Sequence, residues 1–171
     1  MQKLKVGFFG GSFNPPTNVH INLGKELITE GVLDKVIFVP VGDYYQKQDL
    51  IPAIHRYNML KIACKEFESL DVENIACIHQ DKLFATDTFE LIYKKYDKDS
   101  EIYFIMGSDN FEKMPSWKNY EEIKDKYQYI VLNRTEDISS TDIRKKIKRG
   151  EKISDYMNPE ILEYIKENKL Y

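Results

Sequence analysis

Five short runs of apolar, β-branched or aromatic residues alternate with segments in which apolar residues recur every three or four positions. Short apolar runs predict buried strands, and the longer spacing predicts amphipathic helices. The predicted strands are residues 6–9, 36–41, 75–78, 102–106 and 129–132. Helical spacing is clearest at Leu23, Leu27 and Ile28, at Tyr57, Leu60 and Cys64, and at Phe89, Ile92 and Tyr96.

This alternation predicts an α/β fold, a Rossmann-like parallel sheet of about five strands flanked by helices. A C-terminal helical segment follows the sheet. Ser139 and Asp142 have the spacing of a capping box, and Asn158-Pro159 has the form of a second helix start. Ligands of such sheets bind beyond the carboxyl ends of the strands, so we expect the site residues there.

The chain has 171 residues, of which 42% are hydrophobic and 31% are charged, as in a single globular domain. We expect one domain over residues 1–171. Its sheet core would occupy residues 1–137 and its C-terminal helices residues 138–171.

The sequence also limits the expected partners. No apolar stretch approaches the roughly 20 residues that cross a bilayer, and the first residues do not resemble a secretory leader. Cys64 and Cys77 stand apart from each other and form no metal-binding pattern. The net charge is −3, and no basic stripe carries interleaved aromatic residues. We therefore expect a cytoplasmic protein that binds neither membranes nor nucleic acid.

The first predicted strand leads directly into Gly10-Gly11-Ser12-Phe13-Asn14-Pro15-Pro16-Thr17-Asn18-Val19-His20. Paired glycines at a strand end let the backbone approach a ligand closely. Thr17 and His20 share one face of the first turn of the next predicted helix, whose N-terminus attracts anions. A plain turn before a capped helix has the same pattern, so this segment alone leaves both interpretations open.

A second candidate anion site is Ile138-Ser139-Ser140-Thr141-Asp142-Ile143-Arg144. Its hydroxyl groups and free backbone N–H groups stand at a predicted helix start, and Arg144 follows one turn later. An ordinary serine-capped surface helix with a basic face is the alternative.

Taken together, a strand followed by Gly-Gly-Ser, Asn-Pro and Thr-x-x-His, and later by Ile-Ser-Ser-Thr-x-Ile-Arg, resembles the nucleotidyltransferase superfamily. Over nearly its whole length the chain is similar to the nicotinate/nicotinamide mononucleotide adenylyltransferase family. The similarity includes Val-Pro-Val-Gly-Asp-Tyr-Tyr-Gln-Lys at residues 39–47, Asp87-Thr88-Phe89, Gly107-Ser108-Asp109 and Pro115-Ser116-Trp117-Lys118.

The resemblance implies an enzyme that condenses ATP, with Mg²⁺, and nicotinate or nicotinamide mononucleotide into a dinucleotide and pyrophosphate. It implies that His20, Lys47 and Arg144 are catalytic. It assigns ATP contacts to Gly10, Gly11, Ser12, Phe13, Thr17, Ser140 and Thr141. It assigns mononucleotide contacts to Thr88, Gly107, Asp109, Trp117 and Arg134, with no metal-binding side chains.

Three departures from the family pattern leave alternatives open. Thr17 stands where many bacterial members have a first histidine, and Phe84 and Ala85 lie near the place of a second stacking tryptophan in nicotinamide-type enzymes. Arg134 is followed almost at once by Ile138, where the family usually has a longer stretch with another strand. The sequence therefore leaves open whether the pyridine ring of the acceptor carries an acid or an amide. The alternatives are another small-molecule adenylyl- or cytidylyltransferase, such as a pantetheine-phosphate adenylyltransferase, and a catalytically silent nucleotide-binding regulator. Self-association into a homo-oligomer is expected only because members of the family often show it.

Overall fold

The structure, a computed structural model, describes residues 2–133 and 138–171. The strands are β1 (Leu4–Gly11), β2 (Lys35–Pro40), β3 (Leu70–Val72), β4 (Ser100–Gly107) and β5 (Gln128–Leu132). The helices are α1 (Asn18–Thr29), α2 (Ala53–Cys64), α3 (Ala85–Tyr96), α4 (Ser108–Lys113), α5 (Tyr120–Ile123), α6 (Ser140–Lys148) and α7 (Pro159–Glu167), with a short 3₁₀ helix at Met114–Ser116. The predicted α/β fold with a five-stranded Rossmann-like sheet is confirmed.

All strand pairs are parallel, and the strand order is β3-β2-β1-β4-β5. The chain builds outward from β1 to β3 and then crosses back to place β4 on the other side of β1. The strand order reverses at this point, and in such sheets the crevice beyond the carboxyl ends is where ligands bind. Gly11 ends β1 and Gly107 ends β4, so both glycine motifs border that crevice.

Helices cover both faces of the sheet because alternate residues of β1 point to opposite sides. Phe9 belongs to the core cluster that includes Phe38 of β2 and Met59 of α2. Phe8 belongs to the second cluster, with Phe104 of β4. The two phenylalanines thus join the central strand to both layers of helices.

The third strand was predicted in the wrong place. Residues 75–78 were expected to be a strand, but Cys77 N and Ile78 N both donate to Asn74 O in a turn, at 2.8 and 3.1 Å. In this apolar run, Ala76 is buried and Ile75 packs partly on the core, whereas Ile78 is 66% exposed. The true edge strand, β3, has only three residues, and its polar Asp71 hides its apolar pattern.

The C-terminal helix α7 packs against α2. On α7, the Tyr164 hydroxyl accepts a hydrogen bond from Asn58 Nδ2 at 3.0 Å and lies 2.9 Å from His55 Nδ1. β5 ends at Leu132 and α6 begins at Ser140, and the short connection expected after Arg134 falls on residues 134–137, outside the described ranges. Within the two described ranges, no helix has the length and apolar character needed to cross a membrane.

Candidate active site

The loop that follows β1 is held by Phe13. Its side chain is buried and contacts Phe38 and His20, with ring centroids 5.6 and 5.1 Å away. A Cβ atom at Gly11 would lie 3.0 Å from the Phe13 ring, whereas one at Gly10 would enter open space. The backbone at Gly10 is therefore approachable, and Phe13, whose ring lies in the core, can offer a nucleotide only its backbone.

His20 is oriented by the helix start that it helps to form. Thr17 precedes α1, and its backbone N–H donates to His20 Nδ1 at 3.0 Å, while Thr17 Oγ1 lies 3.1 Å from the same nitrogen. Because Nδ1 accepts this bond, a neutral imidazole carries its proton on Nε2. Desolvation lowers the pKa of His20 to about 4. At neutral pH, His20 is therefore a neutral donor through Nε2–H.

Lys47 reaches the same loop from the carboxyl end of β2. Its Nζ donates to Ser12 Oγ at 3.4 Å, and its side chain is exposed. The structure thus brings together the two predicted phosphate contacts from the loops after β1 and β2. An exposed ammonium beside Ser12 and Gly11 can attract a polyphosphate.

The second motif packs directly against the first. Ser140 Oγ donates to Pro15 O at 2.8 Å, and Arg144 Nη1 donates to Asn14 O, also at 2.8 Å. Arg144 Nη2 donates to Thr141 Oγ1 at 3.2 Å, and the arginine is only 7% exposed. The two predicted ATP motifs therefore form one unit at the carboxyl end of β1, although they are far apart in sequence.

Gly107 and Asp109 lie across the crevice from the β1 loop. Gly107 ends β4 and precedes α4, and a Cβ atom there would enter open space. Asp109 is exposed in the first turn of α4. Their position at the reversal of strand order is the one expected for residues that bind the second nucleotide.

Thr88 and Trp117 form the outer part of this side. Thr88, in the first turn of α3, donates from Oγ1 to Phe84 O at 3.3 Å and hydrogen-bonds the Tyr44 hydroxyl. Trp117 is half-buried, and its ring centroid lies 6.3 Å from that of Phe89. The tryptophan therefore packs partly on the core, and part of its surface is accessible.

The chain is similar over most of its length to known proteins. The family model for cytidylyltransferase-like proteins matches residues 8–146. A Bacillus subtilis (strain 168) protein named nicotinate-nucleotide adenylyltransferase is 30% identical over 187 residues, an alignment covering 98% of each chain. This chain belongs to the nicotinate-nucleotide adenylyltransferase family. A relative from Bacillus licheniformis is 31% identical to this chain, and the alignment again covers 98% of each of the two chains.

Solved structures support the fold of the adenylyltransferase. Plasmodium falciparum nicotinic acid mononucleotide adenylyltransferase, in complexes with NaAD and with APC, superimposes with a TM-score of 0.75 at 20% identity, covering 98% of this chain and 97% of that chain. The 187-residue alignment with the Bacillus subtilis relative is longer than the 171-residue chain, so that relative has residues which this adenylyltransferase lacks.

Arg56, which is completely buried beneath this candidate site, had no role predicted from the sequence. Its Nη1 donates to Ser12 O at 3.0 Å and its Nε donates to Ile51 O at 2.9 Å. Nη2 lies 3.8 Å from Asp43 Oδ1. Arg56 therefore joins the loop after β1 to both ends of the loop that carries Lys47. Its place in the His-Arg pair of α2 was the only available signal.

Phe84 is a second residue whose surroundings the sequence did not reveal. It is 37% exposed, and Lys82 Nζ and Lys118 Nζ lie 4.9 and 4.7 Å from its ring centroid. The position of Lys118 directly after Trp117 was a possible signal. Two lysine ammonium groups therefore lie next to the predicted mononucleotide contacts.

Two further expectations concern Arg134 and metal-binding side chains. Arg134, predicted to contact the mononucleotide, lies outside the described residues. In residues 2–133 and 138–171, no group of three or more His, Cys, Asp or Glu side chains is arranged to hold a metal ion.

Proposed function

We propose that this enzyme transfers the adenylyl group of ATP to nicotinate mononucleotide, releasing pyrophosphate and forming the dinucleotide in NAD biosynthesis. The observation that carries the proposal is the contact of Ser140 and Arg144 with Pro15 and Asn14 beside His20. It gathers hydroxyl, guanidinium and imidazole donors at the end of β1, where a triphosphate needs them.

In the proposed reaction, a phosphate oxygen of the mononucleotide attacks the α-phosphorus of ATP. The bond between the α-phosphorus and the bridging oxygen breaks, and pyrophosphate leaves with the bonding electrons. The attacking phosphate is already largely ionised at neutral pH, so the reaction needs no general base. Positioning and charge neutralisation supply most of the rate enhancement in such transfers.

His20, Lys47 and Arg144 are the proposed catalytic residues. The Nε2–H of His20 would donate to a phosphate oxygen without adding a charge, because its pKa of about 4 keeps the ring neutral. Lys47 and Arg144 would neutralise the negative charge on the phosphates and the leaving group. Gly10, Gly11, Ser12, Thr17, Ser140 and Thr141, with the Phe13 backbone, complete the proposed ATP site.

We propose that Mg²⁺ enters with ATP, as part of the substrate. Mg²⁺ is commonly bound through one or two carboxylates and substrate phosphates, and it would neutralise the phosphate charge here. The described residues offer no cluster of metal-binding side chains for a dedicated site. The protein's own contribution would then be to hold the phosphates of the magnesium complex.

For the acceptor, we propose nicotinate over nicotinamide mononucleotide. Gly107, Asp109, Thr88 and Trp117 would bind the mononucleotide, with the pyridine ring stacked on Trp117. The ammonium groups of Lys82 and Lys118 lie over the Phe84 ring, and Lys118 directly follows Trp117 in the sequence. Two ammonium groups favour a ring that bears a carboxylate over one that bears a neutral amide.

The decisive experiment measures pyrophosphate release from ATP and MgCl₂ with three acceptors in parallel, namely nicotinate mononucleotide, nicotinamide mononucleotide and pantetheine phosphate. We expect the highest kcat/KM with nicotinate mononucleotide. Faster turnover of pantetheine phosphate would identify that compound as the acceptor instead of nicotinate mononucleotide. ATP binding without pyrophosphate release from any acceptor would identify a silent regulator instead.

A cytoplasmic location and self-association are also proposals. The thiols of Cys64 and Cys77 are free, as in proteins of reducing compartments. Sedimentation of the purified enzyme would measure its oligomeric state.

A further inference from the structure

The side chain of Asn14 joins three segments of the chain. Asn14 is 2% exposed, and its Oδ1 accepts hydrogen bonds from the Tyr171 hydroxyl at 2.8 Å and from Ile51 N at 3.4 Å. Its Nδ2 donates to Asp49 O at 2.8 Å. One buried amide therefore links the loop after β1, the loop that carries Lys47 and the C-terminal segment.

The backbone directs Tyr171 toward this amide. After α7, Lys169 and Tyr171 have φ angles of 52° and 71°, in the left-handed region that residues with a side chain seldom adopt. Leu170 N donates to Ile165 O at 3.0 Å and holds the segment against the end of α7. Burial raises the pKa of Tyr171 well above its ordinary value, so its hydroxyl remains a donor at all physiological pH values.

We propose that Tyr171 is a positioning residue that acts through Asn14 to hold the Lys47 loop against the Ser12 loop. This inference rests on the proposed function for its kinetic consequence. Nothing in the sequence motifs points to it, because 157 residues separate the two partners.

The hydrogen bonds of Asn14 explain why loss of the Tyr171 hydroxyl should affect the side-chain amide of Asn14 and leave the backbone of its loop in place. The main-chain oxygen of Asn14 is held independently by Arg144 Nη1, so losing the Tyr171 hydroxyl leaves the loop backbone in place. The side-chain amide, however, would keep only the long bond from Ile51 on its oxygen. The amide could then rotate, and its bond to Asp49 O would weaken.

Lys47 is the residue that this weakening would affect. Its side chain is exposed and, within residues 2–133 and 138–171, has a single long contact, 3.4 Å, with Ser12 Oγ. The position of its ammonium group therefore depends on the backbone that Asn14 holds two and four residues later, at Asp49 and Ile51.

The first test compares Tyr171→Phe with Tyr164→Phe. The Tyr164 hydroxyl is hydrogen-bonded as well, but its contacts with His55 and Asn58 link α7 to α2. We expect Tyr171→Phe to raise the KM for ATP by about 3- to 10-fold, the effect of one hydrogen bond, with the KM for the mononucleotide unchanged. Tyr164→Phe should lower Tm and leave both KM values as in the wild type. Equal ATP KM values for Tyr171→Phe and the wild type would overturn the proposal.

A double-mutant cycle tests whether Tyr171 acts through Lys47. In the Lys47→Ala enzyme, the further change Tyr171→Phe should alter the KM for ATP by less than about twofold, because the positioned group is already gone. Full additivity of the two changes would contradict action through Lys47.

Amide hydrogen exchange of the ligand-free protein separates this inference from the proposed function. We expect Tyr171→Phe to speed exchange within residues 43–52, including Ile51 N–H, and Tyr164→Phe to leave these amides unchanged. Unchanged exchange in Tyr171→Phe would refute the positioning role even in an active enzyme. An inactive wild-type protein that shows the expected exchange difference would refute the adenylyl transfer alone.

Discussion

Arg144 Nη1 donates a 2.8 Å hydrogen bond to the main-chain oxygen of Asn14, and this bond joins two motifs that are 130 residues apart. The buried arginine therefore has two tasks. It holds the loop after β1 in place, and it supplies positive charge where phosphates are proposed to bind. A residue with both tasks should tolerate substitution poorly even when its charge is kept.

Arg144→Lys tests this dual role. A lysine keeps the charge but cannot bond Asn14 O and Thr141 Oγ1 together, since it lacks the planar fork of a guanidinium. We expect kcat to fall by about 10-fold or more and Tm to fall by about 2–4 °C per kcal/mol lost. Steady-state kinetics and thermal unfolding measure the two effects. Arg149→Lys is the control, because Arg149 is exposed and pairs only weakly, at 3.7 Å, with Glu151. Wild-type kcat in Arg144→Lys would mean that charge alone suffices.

His20 should make stability depend on pH. Its folded pKa of about 4 lies below its unfolded value of 6.5, so the unfolded chain binds the proton more tightly. The stability associated with the neutral His20 ring is therefore fully present above about pH 6.5, and it is lost as the pH falls toward 4. Between pH 7 and pH 4.5, the wild type should lose on the order of 2 kcal/mol more unfolding free energy than His20→Asn, whose amide cannot take up this proton.

Urea unfolding at pH 4.5, 5.5 and 7 provides this measurement. His55 and His79 are present in both proteins, so they cancel in the comparison. Parallel pH dependence of the two proteins would show that His20 is not held neutral by burial.

Much of the site could be predicted from sequence because its parts lie at fixed places in the fold. A Gly-Gly after the first strand, a helix start with Thr-x-x-His and a second serine-rich helix start must all lie near the carboxyl edge of a parallel sheet. The contacts of Ser140 and Arg144 with Pro15 and Asn14 are the result. Hydrophobic spacing likewise placed α1, α2 and α3.

Other features could not be predicted because they depend on tertiary contacts without a local signal. The edge strand Leu70–Val72 is too short, and too polar at Asp71, to show a strand pattern. The contact between Tyr171 and Asn14 depends on left-handed backbone after α7. The approach of Lys118 to Phe84 joins two loops from different strands.

Acceptor choice should depend on the two lysines near Phe84. We expect Lys82→Gln/Lys118→Gln to lower kcat/KM for nicotinate mononucleotide by about 3- to 10-fold, since exposed charges contribute modestly, and to leave nicotinamide mononucleotide nearly unaffected. Initial rates with both acceptors give the ratio. Lys126→Gln is the matched control, because Lys126 Nζ lies 5.2 Å from the Tyr127 ring at the other end of the sheet. An unchanged ratio would show that acid and amide are distinguished elsewhere.

Trp117 and His20 should affect different kinetic parameters. Stacking on an aromatic ring contributes about 1–3 kcal/mol per base, so Trp117→Ala should raise the KM for the mononucleotide by about 10-fold or more with a smaller effect on kcat. Trp117→Phe keeps a ring and should recover most of that loss. His20→Ala removes the proposed donor to the transition state and should mainly lower kcat. Steady-state kinetics with each substrate varied in turn measures both. If Trp117→Ala lowers kcat as much as it raises KM, its packing on Phe89, 6.3 Å between ring centroids, is its main role.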